Sequence, residues 1–222
     1  MPLIFLWREA MYDTILFLDF DGTITSEETL EGSMRLAIDP AIYEGKNREL
    51  IEGKFTLAEV LQMGFSTIPS YKYDAIMDYV RKVPIRKGFR DLILAMEELG
   101  IPVVVISGGL KPYVMEKLGP FQDRLLGIHS VDLDYSGDFM RLLPEYEEDG
   151  ELMQKTLVMD QYDYKRAICV GDSMTDVGMA KVCQLVFARD LLAKLLDKDG
   201  VAYVPWNNFH DIKDYILKWA QS

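Results

Sequence analysis

The stretch Ile15-Leu16-Phe17-Leu18-Asp19-Phe20-Asp21-Gly22-Thr23 decides the fold. An apolar run enters two carboxylates spaced two apart and then a glycine, the pattern of a strand buried on both faces whose C-terminal end opens into a polar loop. In an open α/β sheet the binding crevice lies outside such strand ends. Strand alternation puts Asp19 and Asp21 on one face. Two anions aimed into one small, partly dry space repel, so they need a cation or a proton between them. An Asx turn after a strand would also explain Asp-Gly, so the rest of the chain decides between a turn and a site.

Two later strand ends carry related chemistry. The β-branched run Ile101 to Ile106 reads as a buried strand ending in Ser107-Gly108-Gly109, with a helix beginning near Leu110. Glycines there let backbone N–H groups approach an anion closely, and the helix start adds its positive end. Ala167 to Val170 reads as a third strand ending in Gly171-Asp172-Ser173-Met174-Thr175-Asp176, with Asp176 in the first turn of a helix over 177–182. Acids at a helix start can merely cap it. Three parallel strands ending this way favour a site.

Between the first strand and the rest, residues 26–84 hold no strand-like run and show helical periodicity. Leu30, Met34 and Ile38 trace one face, Leu57, Val60, Leu61 and Gly64 a second, and Ile76, Tyr79, Val80 and Val83 a third. The division is a core of residues 12–25 and 85–222, a helical insertion at 26–84, and a flexible extension at 1–11. Translation from Met11 rather than Met1 is an equal reading of that start. Further along, 88–99 and 211–219 read as amphipathic helices, and 128–144 as a β-hairpin. The acidic run Glu145 to Glu151 reads as a solvated loop, 152–159 as a helix, 185–188 as a strand and 190–196 as a helix.

Bulk properties narrow the class. A chain of 222 residues suits one domain, or a core with a modest insertion. Its net charge of -12 repels nucleic acid, while a small anion at a local cationic site is still permitted. The apolar opening Met1 to Trp7 has no cationic stretch before it, is followed by Arg8 and Glu9, and is too short for a signal peptide or a membrane span. Cys169 and Cys183 lack metal-ligand spacing and sit in apolar runs, which fits free thiols in a reducing, cytoplasmic compartment.

Carboxylates with a hydroxyl, glycine amides and a lysine, but no histidine or thiolate, form an oxygen site for a hard cation, Mg²⁺ before others. A carboxylate beside such an ion can attack phosphorus and form an aspartyl-phosphate. Two lysines compete for the site. Lys165 precedes the third strand and so lies at its far end. Lys155 begins the preceding helix, on the same sheet edge as the strand C-termini, and is the choice.

Asp-Phe-Asp-Gly-Thr, Ile-Ser-Gly-Gly, Lys155 and Gly-Asp-Ser-Met-Thr-Asp together resemble the four motifs of the haloacid dehalogenase superfamily, in its phosphatase branch. The resemblance implies an α/β fold: a Rossmann-like doubly wound parallel sheet with an inserted helical cap of the C1 type. It implies Asp19 as nucleophile and Asp21 as general acid and base. It implies Ser107, Gly108 and Lys155 on the phosphoryl group, and Asp19, Asp21 (through its carbonyl), Asp172 and Asp176 in or near the Mg²⁺ site. The product would be an alcohol and phosphate from a small phosphorylated metabolite.

Two groups within that branch set expectations for the substrate. Glu28 stands nine residues after Asp19, where phosphoserine phosphatases place a glutamate that meets the substrate amine. Those enzymes also carry a cap arginine for the substrate carboxylate, and Leu57 to Ile68 holds none. The segments Pro84 to Arg90, Ile106 to Gly109 and Phe187 to Asp190 are instead similar to methionine-salvage phosphatases acting on 2-hydroxy-3-keto-5-methylthiopentenyl-1-phosphate. Met63 and Phe65 are then expected to line the pocket for a thioether tail. Rival classes are a phosphorylated-aspartate receiver, which would be about half this length, and a catalytically silent binding descendant, which would be expected to have lost one of Asp19, Asp21 or Asp172. Phosphotransfer to an acceptor other than water shares every motif.

Overall fold

The computed structural model describes residues 11–220, so the expected extension lies outside the described residues except for Met11. Strand β1 (Tyr12–Leu18) is the middle of a seven-stranded sheet of order β4-β3-β2-β1-β5-β6-β7. It pairs in parallel with β2 (Val103–Leu110) on one side and β5 (Tyr164–Gly171) on the other. Ile15 to Leu18 are fully buried. Alternation sends Ile15 and Phe17 into one apolar cluster and Leu16 and Leu18 into the other, so β1 is covered on both faces as its unbroken apolar run requires.

Outward from β2 lie β3 (Gly127–Asp134), in parallel, and β4 (Arg141–Leu143), which returns antiparallel as a hairpin. Outward from β5 lie β6 (Leu185–Ala188) and β7 (Val204–Pro205). Sequence reading gave no signal for β7. It is two residues long and its proline sits on the sheet edge, where a missing N–H costs no ladder bond.

Ten helices accompany the sheet among the described residues. Four follow β1 directly: α1 (Thr29–Ala37), α2 (Pro40–Ile51), α3 (Leu57–Phe65) and α4 (Tyr73–Lys82). Of these, α2 was hidden in the sequence, because only Tyr43 on it is buried and its apolar stripe is faint. Helices α5 (Phe89–Leu99) and α10 (Phe209–Trp219) pack together on one face of the sheet. The remaining helices are α6 (Lys111–Leu118), α7 (Lys155–Met159), α8 (Val177–Val182) and α9 (Asp190–Asp199). No helix among the described residues is long and apolar enough to cross a membrane.

The α1–α4 segment leaves and rejoins the sheet through two strands of chain lying side by side. Thr25 and Ile85 form an antiparallel bridge, flanked by Ser26 N–H to the Pro84 carbonyl at 3.0 Å and Arg86 N–H to the Ile24 carbonyl at 2.8 Å. Its other end is fastened to the hairpin and the loop beyond. Ser70 N–H donates to the Asp138 carbonyl and Met140 N–H to the Ile68 carbonyl, both at 2.9 Å, and Ala58 N–H donates to the Gly150 carbonyl at 2.9 Å.

Three boundaries differ from expectation. Strand β2 does not stop at Ile106 but continues irregularly through Ser107-Gly108-Gly109 to Leu110, with a register shift against β3. The helix expected over 152–159 shrinks to α7, because Leu152 and Met153 are buried in extended chain that bridges Met153 to Tyr146. The Glu145–Glu151 run is not wholly a solvated loop: Glu151 is half-buried and turned inward.

Candidate active site

The C-terminal ends of β1, β2 and β5 and the start of α7 bring the expected side chains together. Asp19, directly after β1, is 4% exposed. Its Oδ1 accepts a hydrogen bond from Lys155 Nζ at 2.5 Å, and its Oδ2 is buried with no hydrogen-bond partner. Lys155 is 1% exposed and also donates to Asp176 Oδ1 at 2.5 Å. The other oxygen of Asp176 accepts from the backbone N–H groups of Asp172 at 3.0 Å and Ser173 at 2.9 Å, shaping the loop after β5. Asp172 Oδ1 accepts from Thr23 Oγ1 at 2.7 Å, which ties the β5 loop to the β1 loop. Lys165 lies elsewhere, exposed and paired with Asp13 at the opposite sheet edge.

Asp21 is fixed by the first turn of α1. Its Oδ1 accepts from the Thr29 N–H at 2.7 Å and from the Thr29 hydroxyl. One of the free N–H groups of that helix start is thereby satisfied by a carboxylate, the charge a helix N-terminus favours. Its other oxygen sits against the β2 end. A Cβ on Gly109 would stand 2.3 Å from Asp21 Oδ2 and 3.0 Å from Ser107 Oγ, so only glycine lets the backbone come this near. Ser107 is fully buried and its Oγ accepts from the Gly109 N–H at 2.9 Å.

Gly22 is the second position where glycine is required. Its φ is +72°, and a Cβ would stand 2.4 Å from Asp172 Oδ2 and 2.7 Å from Glu28 Oε1. Gly22→Ala is expected to cost about 1–2 kcal/mol for the left-handed backbone alone, and more because two acids must move. A lowered urea midpoint together with weakened metal binding would check it, and an unchanged variant would refute the crowding.

Burial and crowding set the protonation of the acids. Burial, with Asp176 adding to it, pushes the Asp19 carboxyl well above the usual range, and Lys155 pulls the other way. Burial raises Asp21, opposed by the hydrogen bonds from Thr29. Asp172 is pushed up to about 6 by burial, opposed by Thr23. Burial pulls the Lys155 ammonium down, but Asp176 and Asp19 outweigh it and hold the lysine protonated. Asp19, Asp172 and Asp176 each offer an oxygen, all within 4.8 Å of one another. An all-oxygen, all-carboxylate set with an unpartnered Asp19 oxygen fits a hard divalent cation, whose charge would offset the mutual repulsion of the three acids.

Above the acids lies a cavity of about 350 Å³. Asp19, Asp21, Gly108, Gly109, Ser173 and Thr175 contribute from the sheet edge, and Leu30, Met34, Leu50, Leu57, Val60 and Leu61 from α1–α3. Leu152 and Met153 add to the apolar side, and Glu28, Glu31 and Glu151 to the acidic one. Glu28 is exposed to the cavity, yet the protein packed around it, with Asp21 and Asp172 adding, pushes its carboxyl up to about 8.

The cavity wall corrects one expectation and adds one residue. Met63 and Phe65 do not line it. Phe65 is fully buried in the core, and Met63 Sδ lies 3.8 Å from Lys46 Nζ on another side of α3. Glu151 was missed: its Oε2 is buried without a partner, and burial pushes its carboxyl up to about 7. The one hint in the sequence was its position four residues before Lys155.

Residues 16–181 match the family of haloacid dehalogenase-like hydrolases. The 2-hydroxy-3-keto-5-methylthiopentenyl-1-phosphate phosphatase of Microcystis aeruginosa is 34% identical over 205 residues, spanning 91% of this chain and 97% of its own. Its namesake in Geobacillus thermodenitrificans is 28% identical over 216 residues, spanning 92% and 96%. Among solved structures, phosphoserine phosphatase from T. onnurineus superposes with a TM-score of 0.68 at 17% identity, covering 92% of this chain and 94% of its own. A phospho-aspartyl intermediate analogue of phosphoserine phosphatase gives 0.66 at 21%, covering 93% and 99%. These likenesses show a shared α/β fold, and with the match over most of the sheet the chain belongs to the haloacid dehalogenase-like hydrolase family.

Proposed function

We propose that the chain is a Mg²⁺-dependent phosphomonoesterase of a small metabolite, with 2-hydroxy-3-keto-5-methylthiopentenyl-1-phosphate as its best substrate. The observation that carries the substrate choice is the cavity lining: an apolar wall facing a set of acids, with neither arginine nor lysine among the lining residues. A thioether tail gains by leaving water against Leu57, Val60 and Leu61, and hydroxyl groups find acceptors in Glu28 and Glu151. The carboxylate of phosphoserine would meet no cation there, and burying it unpaired among acids is costly. The named relatives in Microcystis and Geobacillus support the same reading.

In this reading Asp19 attacks phosphorus, forming an aspartyl-phosphate as the bond to the leaving oxygen breaks. Asp21, whose raised pKa lets it carry a proton, delivers that proton to the leaving oxygen. Asp21 then takes a proton from the water that attacks the phosphorus of the aspartyl-phosphate, releasing phosphate and restoring Asp19. Ser107, the Gly108 backbone and Lys155 hold the phosphoryl oxygens. Mg²⁺ would be held by Asp19, the Asp21 carbonyl and Asp172, and would supply positive charge against the phosphoryl group. Asp176 serves that site at one remove, by orienting Lys155 and the Asp172 loop.

Residues 26–84 act as the cap over a core of residues 12–25 and 85–222. The free thiols Cys169 and Cys183 accord with work in the cytoplasm.

Phosphate release from a panel of small phosphomonoesters, with Mg²⁺ and with EDTA, tests the reading. The methylthiopentenyl ester is expected to exceed phosphoserine in kcat/KM by about 100-fold or more, the scale set by leaving a polar group unpaired, and EDTA is expected to stop release. Faster turnover of phosphoserine would overturn the substrate, and metal-independent release would overturn the site. Loss of ester without free phosphate would show transfer to another acceptor.

A further inference from the structure

We infer that Arg86 is a positioning residue for the reaction: it holds the backbone of the Gly22–Thr25 loop, and through it Asp21 and Thr23, in the geometry that turnover needs. The inference rests on the reading of Asp21 as acid and base.

Residue 86 binds four successive carbonyls of that loop. Its Nη2 donates to the Gly22 carbonyl at 2.5 Å and the Thr25 carbonyl at 3.4 Å, its Nε to the Thr23 carbonyl at 3.0 Å, and its backbone N–H to the Ile24 carbonyl at 2.8 Å. Carbonyls fixed in direction fix the peptide planes between them. This loop carries Asp21 at one end and presents the Thr23 hydroxyl to Asp172 at 2.7 Å. It also turns through Gly22 at φ +72°, closed from within by Thr25 N–H to the Phe20 carbonyl at 2.9 Å and Gly22 N–H to Thr25 Oγ1 at 3.3 Å, while Arg86 holds its outward-facing carbonyls.

The guanidinium is itself braced. Its Cζ lies 5.4 Å from the ring centroid of Trp206, a residue 3% exposed, and Arg189 stands 5.2 Å from the same ring. Stacking on a buried ring while forking to separate carbonyls is what a planar guanidinium can do and a point-charge ammonium cannot. Arg86 also lies one residue beyond Ile85, which bridges Thr25 where the α1–α4 segment rejoins the sheet. The placement of that segment and the shape of the loop are therefore set at the same residue.

Arg86→Lys keeps the charge and loses the fork, and Arg86→Ala loses both. In Arg86→Lys kcat is expected to fall about 10–100-fold with KM within about threefold, the signature of misplaced groups and not of lost substrate contacts. In Arg86→Ala kcat falls further and is partly restored by methylguanidinium, but not by an equal concentration of tetramethylammonium. Wild-type kcat in either variant would overturn the inference, as would kcat loss that only tracks the unfolded fraction and shows no rescue. Amide exchange over residues 19–26 tests the same role without turnover. It is expected to quicken in Arg86→Ala at urea-free conditions where the rest of the sheet stays protected, and unchanged exchange would overturn the inference. Absence of turnover by the unmodified chain would instead overturn the phosphatase reading, leaving the exchange experiment to decide the role of Arg86 in the loop.

Discussion

Asp19→Asn is expected to abolish steady-state turnover, by a factor on the order of 10⁴ or more, while leaving the fold in place and somewhat more stable. The activity loss follows because an amide oxygen is neutral and a poor nucleophile toward phosphorus. The gain in stability follows from the sign of the Asp19 shift. Its carboxyl is raised in the fold by burial and by Asp176, so its contribution to stability is present below the unfolded-state value near 3.9 and is lost as pH rises through the folded value. At neutral pH the ionised side chain therefore opposes folding, and asparagine removes that opposition while Lys155 keeps Asp176. Phosphate release and the thermal midpoint in EDTA check both halves. Measurable turnover would remove Asp19 as the nucleophile, and a lowered midpoint would mean that the Lys155 bond outweighs the repulsion.

How much of this site was legible in the sequence depends on how local each signal is. Asp19, Asp21, Asp172 and Asp176 could be read because each lies at the end of a buried apolar run, and the ends of parallel strands share one edge. Lys155 was reached by topology, since a helix preceding a parallel strand starts on that edge. The α1–α3 face of the cavity differs from expectation by the phase of one helix. On α3 the residues that reach the cavity are Leu57, Val60 and Leu61, whereas Phe65, one turn beyond Leu61, is turned into the core and Met63 lies off that stripe. Periodicity shows that a stripe exists, not which neighbour each turn of it meets. Arg86 was beyond reach for another reason: its partners are backbone carbonyls more than sixty residues earlier. No side-chain pattern encodes a bond to a carbonyl.

The role of Glu28 and Glu151 is where sequence and structure together narrow the chemistry. Two acids on the wall, with carboxyls that burial raises to about 8 at Glu28 and about 7 at Glu151, stand over Asp19 and Asp21, and the lining residues include no arginine or lysine. A carboxylate on the substrate would meet no countercharge there. An ester whose remaining groups are hydroxyl, keto and thioether needs none, and its hydroxyls could satisfy the orphaned Glu151 Oε2. On the proposed reading, selectivity comes from the missing cation as much as from what the cavity holds.

The second large effect is on stability. Lys155→Met, similar in length but uncharged, leaves Asp19 and Asp176 facing each other in a site where the first is 4% exposed and the second fully buried. Breaking a buried ion pair by removing one partner typically costs about 3–5 kcal/mol, because the remaining charge is left uncompensated. Here two charges remain. The deficit has a defined pH dependence. Without the ammonium, the Asp19 carboxyl, already raised by burial and by Asp176, loses the charge that pulls it down. A carboxyl so raised stabilises fully below the unfolded value near 3.9 and loses that contribution as pH rises. Urea midpoints in EDTA are therefore expected to show the variant far below wild type at pH 7.5 and closer to it at pH 5, with Mg²⁺ restoring part of the difference at the higher pH by standing in for the lost cation. Phosphate release should fall with it, since the lysine proposed to hold the phosphoryl oxygens is gone. A deficit of the same size at both pH values would mean that Lys155 contributes by packing and not by charge, and the electrostatic account of the buried triad would have to be given up.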